Sequence, residues 1–349
     1  MSARTLLFFG YHDRASQRQY TLEKTFRNEG YEIAECRTEA KGLWGKYWDL
    51  RKQFLIFNFQ FAILLVTFPG HTLMPLAWYL TRRPRRKLVF DAFLSLSDTL
   101  VSDRKKYSWL NPFTWILYLV DVAACRLADE ILIDTEAHKQ FFCKRFFLNP
   151  RKIRVIYVGT REDIFHPAHE RAPCGFFRGD AATNLSELPH RPRENPQGTS
   201  EPLHVLFFGT FIPLQGIEHI LGAAKILQDR EKNVHFTLIG TGQTKKAMQE
   251  RAEKLRLRNV TFESRIPMEN LPARIRAADV CLGIFGTSGK ARRVIPHKVF
   301  DAVACGATVI TARTPAILEK FGDGRDVILC DPGNPADLAD TILAVQRNA

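Results

Sequence analysis

Residues 293–311, RVIPHKVFDAVACGATVIT, decide the reading of this chain. Pro296 suits the first position of a helix, where its missing N–H is not needed and its φ is already helical. Val299, Phe300 and Val303 give that helix an apolar face, Gly306 suits its far end, and residues 308–311 are a β-branched run that predicts a strand. A helix buried in this way has no packing need for charge. Yet Lys298 and Asp301 share one face at i,i+3 spacing. A lysine at the positive end of a helix is placed for a diphosphate, and an aspartate one turn further on for ribose hydroxyls. The competing reading is a mutual surface ion pair, which contributes only about 0.5 kcal/mol.

Beyond this stretch, strand-like runs alternate with helix-like runs along the whole chain, the pattern of parallel α/β layers. The first half offers TLLFFG, YEIAEC, FAILLVTF, KLVFDAF, EILID and IRVIYVG as strands. The second offers LHVLFFGT, VHFTLIGTG, NVTFES, DVCLGIFG, ATVITA and DVILC. Between them, residues 167–202 are rich in Pro, Gly, Asn, Ser and charge without an apolar period, which predicts a linker. The expected domains are therefore 1–166 and 203–349, two Rossmann-like layers with ligands at the carboxyl ends of their strands.

The totals exclude several classes. The stretch after Met1 has no basic segment followed by an apolar one, so a secretory leader is not expected. Seven cysteines without a CxxC pair argue against a disulfide framework and a zinc site, and a cytoplasmic protein is expected. The net charge of +13 is concentrated in residues 41–87, with nine basic side chains against the single acid Asp49. That skew suits anionic lipid or phosphorylated ligands; nucleic acid is not expected, since no helix-turn-helix, RNP or zinc-finger pattern accompanies it. The apolar stretch 54–78 is broken by Asn58, Gln60, Pro69, Gly70 and His71, and residues 109–125 contain Asp121. Neither is expected to span a bilayer, though either helps a basic surface rest on one.

The strand ends of the second half carry the candidate donor residues. Gly209, Thr210, Gln215 and Gly216 follow the first strand, Gly240, Thr241 and Gly242 the second, and Lys290, Arg292 and Arg293 the GIFGTSG turn. Glycine turns bring backbone N–H groups close to a phosphate, and the cations add charge-assisted hydrogen bonds. GTSGKA is not an NTPase loop: Ala291 stands where a magnesium-binding Ser or Thr is required.

The spacing of Pro296, Lys298, Asp301, Ala302 and Gly306 resembles the retaining glycosyltransferases of family 4, which have the GT-B fold of two Rossmann-like domains facing across a cleft. FFGTFIPLQG, FTLIGTGQ, NVTF, LPARIRAADVCLGIF and PHKVFDAVACGATVI follow in the family's order over 203–345, and RVIYVGTREDIFHP takes the place of its strand-to-linker segment. The resemblance implies a nucleotide-sugar donor, retention at the anomeric carbon, and no metal or other cofactor; no DxD pair is present. Two departures stand out. Arg293 falls where the first of two glutamates is usual, and Thr210 and Gln215 replace the usual diphosphate-binding Arg and Lys. Lys290, Arg292, Arg293 and Lys298 are expected to share that work, with Lys298 stabilising the leaving group.

For the acceptor, a glycan or a lipid-linked one at the inner face of a membrane, the first half offers His71 and Asp91 as catalytic candidates. Gly10, His12 and Asp98 are its candidate binding residues. Two alternatives stay open: a non-catalytic donor-binding or membrane-docking subunit, and a nucleotide-sugar epimerase.

Overall fold

A computed structural model describes residues 4–56, 61–104, 106–167 and 201–347; most of the expected linker, with Asn58 and Gln60, lies outside the described residues. The chain divides into two compact units, Met1–Gly159 and Thr160–Ala349.

In the first unit, β1 (Arg4–Gly10), β2 (Tyr31–Arg37), β3 (Ile63–Val66), β4 (Lys87–Asp91), β5 (Glu130–Ile133) and β6 (Ile153–Val155) form one parallel sheet in the order β2-β1-β3-β4-β5-β6. Strands such as Ile63–Val66 are buried along their whole length because helices cover both faces. On one face Leu22 and Phe26 of α1 (Gln17–Asn28) pack on Leu6, Phe8 and Leu65. On the other, α2 (Leu43–Ile56), α3 (Met74–Leu80), α4 (Pro112–Leu127) and α5 (Glu136–Phe146) enclose Leu7, Phe9, Leu64 and Val66. Ser16, Asn111 and Thr135 cap α1, α4 and α5 with side-chain oxygens, which fixes where those helices begin.

The second unit repeats the plan. Its strands β7 (Leu203–Phe208), β8 (Val234–Ile239), β9 (Val260–Glu263), β10 (Val280–Leu282), β11 (Val309–Ala312) and β12 (Ile328–Cys330) run parallel in the order β12-β11-β10-β7-β8-β9. Helices α6 (Ile217–Asp229), α7 (Lys245–Lys254), α8 (Leu271–Ala277), α9 (His297–Ala304), α10 (Pro315–Leu318) and α11 (Pro335–Arg347) flank it.

Each sheet has one point where the chain reverses its direction of winding: between β1 and β3 in the first unit, between β7 and β10 in the second. Neighbouring loops there leave the sheet to opposite faces and open a crevice at the carboxyl ends.

Two boundaries differ from expectation. The first unit ends at Gly159 rather than 166, because residues 160–166 are bonded to the second: Thr160 Oγ1 donates to Asp301 Oδ1 at 2.7 Å, and Arg276 Nη1 donates to the His166 carbonyl at 3.0 Å. Helix α9 begins at His297, so Pro296 is its N-cap, with extended backbone, rather than its first helical residue. Among the described residues no helix is long and apolar enough to cross a membrane.

Candidate functional site: the crevice of the second sheet

The second unit's crevice is built by two loops in backbone contact. Gly216 adopts φ +66° as it caps α6, and a Cβ there would collide with the backbone of Phe285 and Gly286. Only glycine lets the β7–α6 loop lie against the loop after β10 at that distance. The Phe285 N–H donates to the Gln215 carbonyl at 3.0 Å across the same junction. Beside it Gly240 sits at φ +148°, where a side chain would strike the Gly209 carbonyl oxygen. Lys245 Nζ holds this edge by donating to the Gly240 and Glu263 carbonyls, both at 2.7 Å.

Lys298 projects from the first turn of α9 into this crevice. Its ammonium lies 3.6 Å from the centre of the Phe207 ring on β7, and a Cβ on Gly209 would stand 3.8 Å from it. It is 7% exposed, and its Nζ has no hydrogen-bond partner among the described residues. Burial pushes its pKa well below the usual lysine range. The mutual ion pair is not formed: Asp301, also buried, takes its hydrogen bond from Thr160. A buried, unpartnered cation is costly unless an anion joins it. A ring face offers only partial compensation.

The remaining donor candidates differ in burial and contacts. Gln215 is buried, and its Oε1 has no partner among the described residues. Thr210, Thr241 and Arg292 are exposed, Lys290 is half-buried, and the Arg293 guanidinium lies against Gly289. Thr160, which holds Asp301 in place, is a residue that sequence reasoning missed. Its only sequence signal was its place in the strand-to-linker segment.

The first unit's crevice gathers histidines. Thr67, just after β3, donates to the Phe9 carbonyl, and its Oγ1 lies 2.8 Å from His12 Nδ1. His12 Nε2 is 3.8 Å from Glu35, which Arg14 also engages. His71 Nε2 donates to the Leu94 carbonyl at 3.1 Å and lies 3.5 Å from Asp121. Burial holds both imidazoles below their ordinary pKa. Gly10 packs against Thr67, so the β1–β3 junction brings Gly10, His12 and Thr67 together.

Asp91 sits at the end of β4 as expected, but it is fully buried and both oxygens accept from Arg18, at 2.7 and 3.3 Å. Arg18 in turn donates to the Ile156 carbonyl at 2.6 Å. A carboxylate held this way anchors α1 to the sheet and is poorly placed to take a proton. Asp98 is buried in a π-helical turn, Asp98–Asp103, its N–H donating to Ser95 Oγ. Ser95 and Ser97 also donate to Asp121.

Residues 202–348 match the family model described as glycosyl transferases group 1. Over 76% of its length the chain is 22% identical to the chitobiosyldiphosphodolichol beta-mannosyltransferase of Kluyveromyces lactis, and it spans 61% of that relative. Its fold is that of HepE from Anabaena, solved with UDP and with UDP-glucose. In the UDP structure the TM-score is 0.65 at 15% identity, over 99% of this chain and 90% of that one. Sucrose-phosphate synthase from Thermosynechococcus elongatus gives 0.68 at 15% identity over the same shares. These likenesses make the two parallel sheets a GT-B fold.

Proposed function

We propose that this protein is a glycosyltransferase that moves a sugar from a nucleoside diphosphate to an acceptor hydroxyl, and that the second unit holds the donor. The observation that carries this reading is the unpartnered, buried ammonium of Lys298 at the carboxyl edge of β7 and β10. A diphosphate supplies the missing counter-charge, and the group 1 domain and UDP-bound HepE point to the same ligand class.

In this reading the donor diphosphate lies on Lys298, with Gly209, Thr210, Gln215, Gly240, Thr241 and Gly242 lining its approach and Lys290, Arg292 and Arg293 adding positive charge. Asp301, oriented by Thr160, accepts from the ribose hydroxyls. The bond from the anomeric carbon to the diphosphate oxygen breaks while the acceptor oxygen bonds to that carbon. Charge gathers on the leaving diphosphate, where a fixed ammonium in a dry site is most effective. The acceptor proton passes to a released phosphate oxygen, so the pairing of Asp91 with Arg18 leaves the chemistry possible. We further propose retention at the anomeric carbon and independence of metal, the cations of the second unit taking the part a metal would play.

The acceptor belongs to the first unit, with His12 and His71 at its crevice. Trp44, Trp48, Leu55 and Ile56 on α2 and Trp115, Ile116 and Leu119 on α4 are exposed, Trp44 to 76%, among Lys46, Arg51 and Lys52. This amphipathic surface supports a lipid-linked acceptor and peripheral attachment to an anionic membrane at its cytoplasmic face.

The test is incubation of the purified protein with UDP-, GDP-, dTDP- and ADP-sugars and a lipid-linked glycan acceptor, in EDTA. Release of one nucleoside diphosphate with a product of unchanged anomeric configuration by NMR is expected. Diphosphate binding without sugar transfer or donor hydrolysis would instead select the donor-binding subunit, a reading that the locked Asp91 favours.

A further inference from the structure

The concentration of positive charge in residues 41–87 is not absorbed by either crevice. Three of its nine cations, Arg82, Arg85 and Arg86, lie at the opposite edge of the first sheet. There a cavity of about 510 Å³ opens at the amino ends of β4, β5 and β6. Arg82, Arg85, Arg86, Arg126, Arg151 and Lys152 line it. Strands β4 to β6 separate it from the His71 crevice by roughly 15 Å.

One acid, Asp129, faces this group, and its capacity is used: Oδ1 accepts from Arg85 at 2.9 Å and Oδ2 from the Leu88 N–H at 2.9 Å. Arg82 and Lys152 are oriented by an aromatic face and a carbonyl, neither of which carries a negative charge. Arg82 stacks on Trp78 at 4.1 Å, and Lys152 Nζ donates to the Arg126 carbonyl at 3.1 Å. Arg86 lies over Phe61 at 4.2 Å. Like charges gathered on one wall repel, and the geometry keeps them there. Guanidinium forks match phosphate and carboxylate oxygens alike, and several cations on one wall favour the anion with the higher charge, phosphate. The cavity exceeds the size of a single phosphate.

We propose that this cavity is a second anion site, for a group bearing more than one phosphate charge, separate from the donor site. Two sources share that chemistry: the headgroup of an anionic lipid and a soluble phosphorylated compound.

The experiment compares four proteins: wild type, Arg126→Ala/Arg151→Ala, Lys298→Ala, and the control Lys254→Ala/Arg258→Ala. The control removes two charges from a different basic cavity, in the second unit. Arg126 and Arg151 are exposed, so their loss leaves the core intact. Thermal shift is read with UDP, and with pyrophosphate added over saturating UDP so that the donor site is already filled; co-sedimentation is read with vesicles of phosphatidylcholine alone or with phosphatidic acid. Removing two charge-assisted contacts is expected to weaken binding about tenfold or more. The expected pattern is that Arg126→Ala/Arg151→Ala loses its response to pyrophosphate, to phosphatidic acid vesicles, or to both, while keeping its UDP shift. Lys298→Ala should do the reverse. Loss on vesicles alone identifies a lipid headgroup, and loss on pyrophosphate alone a soluble ligand. Equal loss in the control variant, or no response of the wild type to either probe, overturns the proposal and leaves the donor reading untouched.

Discussion

Replacing Lys298 with methionine should leave the unliganded second unit as stable as before, or more so, while removing most of its affinity for a nucleoside diphosphate. The ammonium is buried over Phe207 with no hydrogen-bond partner among the described residues, and burial depresses its pKa. The unfolded chain therefore holds that proton more tightly than the folded one. The cost to the unliganded fold is complete below the folded pKa and disappears as pH rises toward the ordinary value of 10.5. Methionine keeps the length and the ring contact and removes this cost. A hydrogen bond to a charged partner contributes about 1.5–3 kcal/mol, so the variant should bind UDP roughly ten- to a hundredfold more weakly. UDP at about 100 times its dissociation constant stabilises the wild type by about 2.7 kcal/mol. For a unit of this size that is a rise of roughly 5–10 °C. At the same concentration the variant would gain roughly 0.4–1.4 kcal/mol, or about 1–5 °C. Scanning calorimetry with and without UDP reads both numbers. A variant that melts several degrees earlier yet keeps the full UDP shift would show that Lys298 serves the fold and not a ligand.

Three other outcomes are expected. Asp91→Ala should cost about 3–5 kcal/mol by stranding the buried Arg18, and the double variant Arg18→Met/Asp91→Leu should recover most of it, as urea melts of the first unit would show. Gly240→Ala should destabilise the second unit by about 1–3 kcal/mol or more and weaken UDP binding, since the new methyl meets the Gly209 carbonyl at a positive φ; calorimetry and titration check both. Finally, His12 and His71 are held below their ordinary pKa of 6.5, so the unfolded chain protonates first as pH falls. The stability they confer is complete above about 6.5 and is lost as pH falls from there to their folded values. Unfolding followed between about pH 7 and 5 should show this loss, reduced in His71→Gln.

All twelve strands were legible: inner strands such as Ile63–Val66 are buried on both faces and so apolar end to end, while the partly exposed edge strands Tyr31–Arg37 and Val260–Glu263 are marked by the turns around them. Their lengths were not: FAILLVTF becomes Ile63–Val66, since pairing with β1 and β4 sets the limits and neither neighbour is local. The second unit's crevice was readable where its residues are close in sequence, as with Lys298 and Asp301 or Gly240 and Gly242. The partners that decide what those residues can do were not. Asp91 is paired with Arg18 and Asp301 with Thr160, and no periodicity connects them. A strand-end carboxylate looks the same in sequence whether it is free or locked.

Thr160 also bears on how this protein is to be cut and compared. The stretch recognisable by descent begins at 202, whereas the body that holds together begins at Thr160. A fragment started at the inherited boundary would lack the hydroxyl on Asp301 and the His166 carbonyl that takes the Arg276 hydrogen bond. It would resemble its relatives and yet hold Asp301 less firmly. The boundary between the units falls at Thr160, the residue whose hydroxyl donates to Asp301.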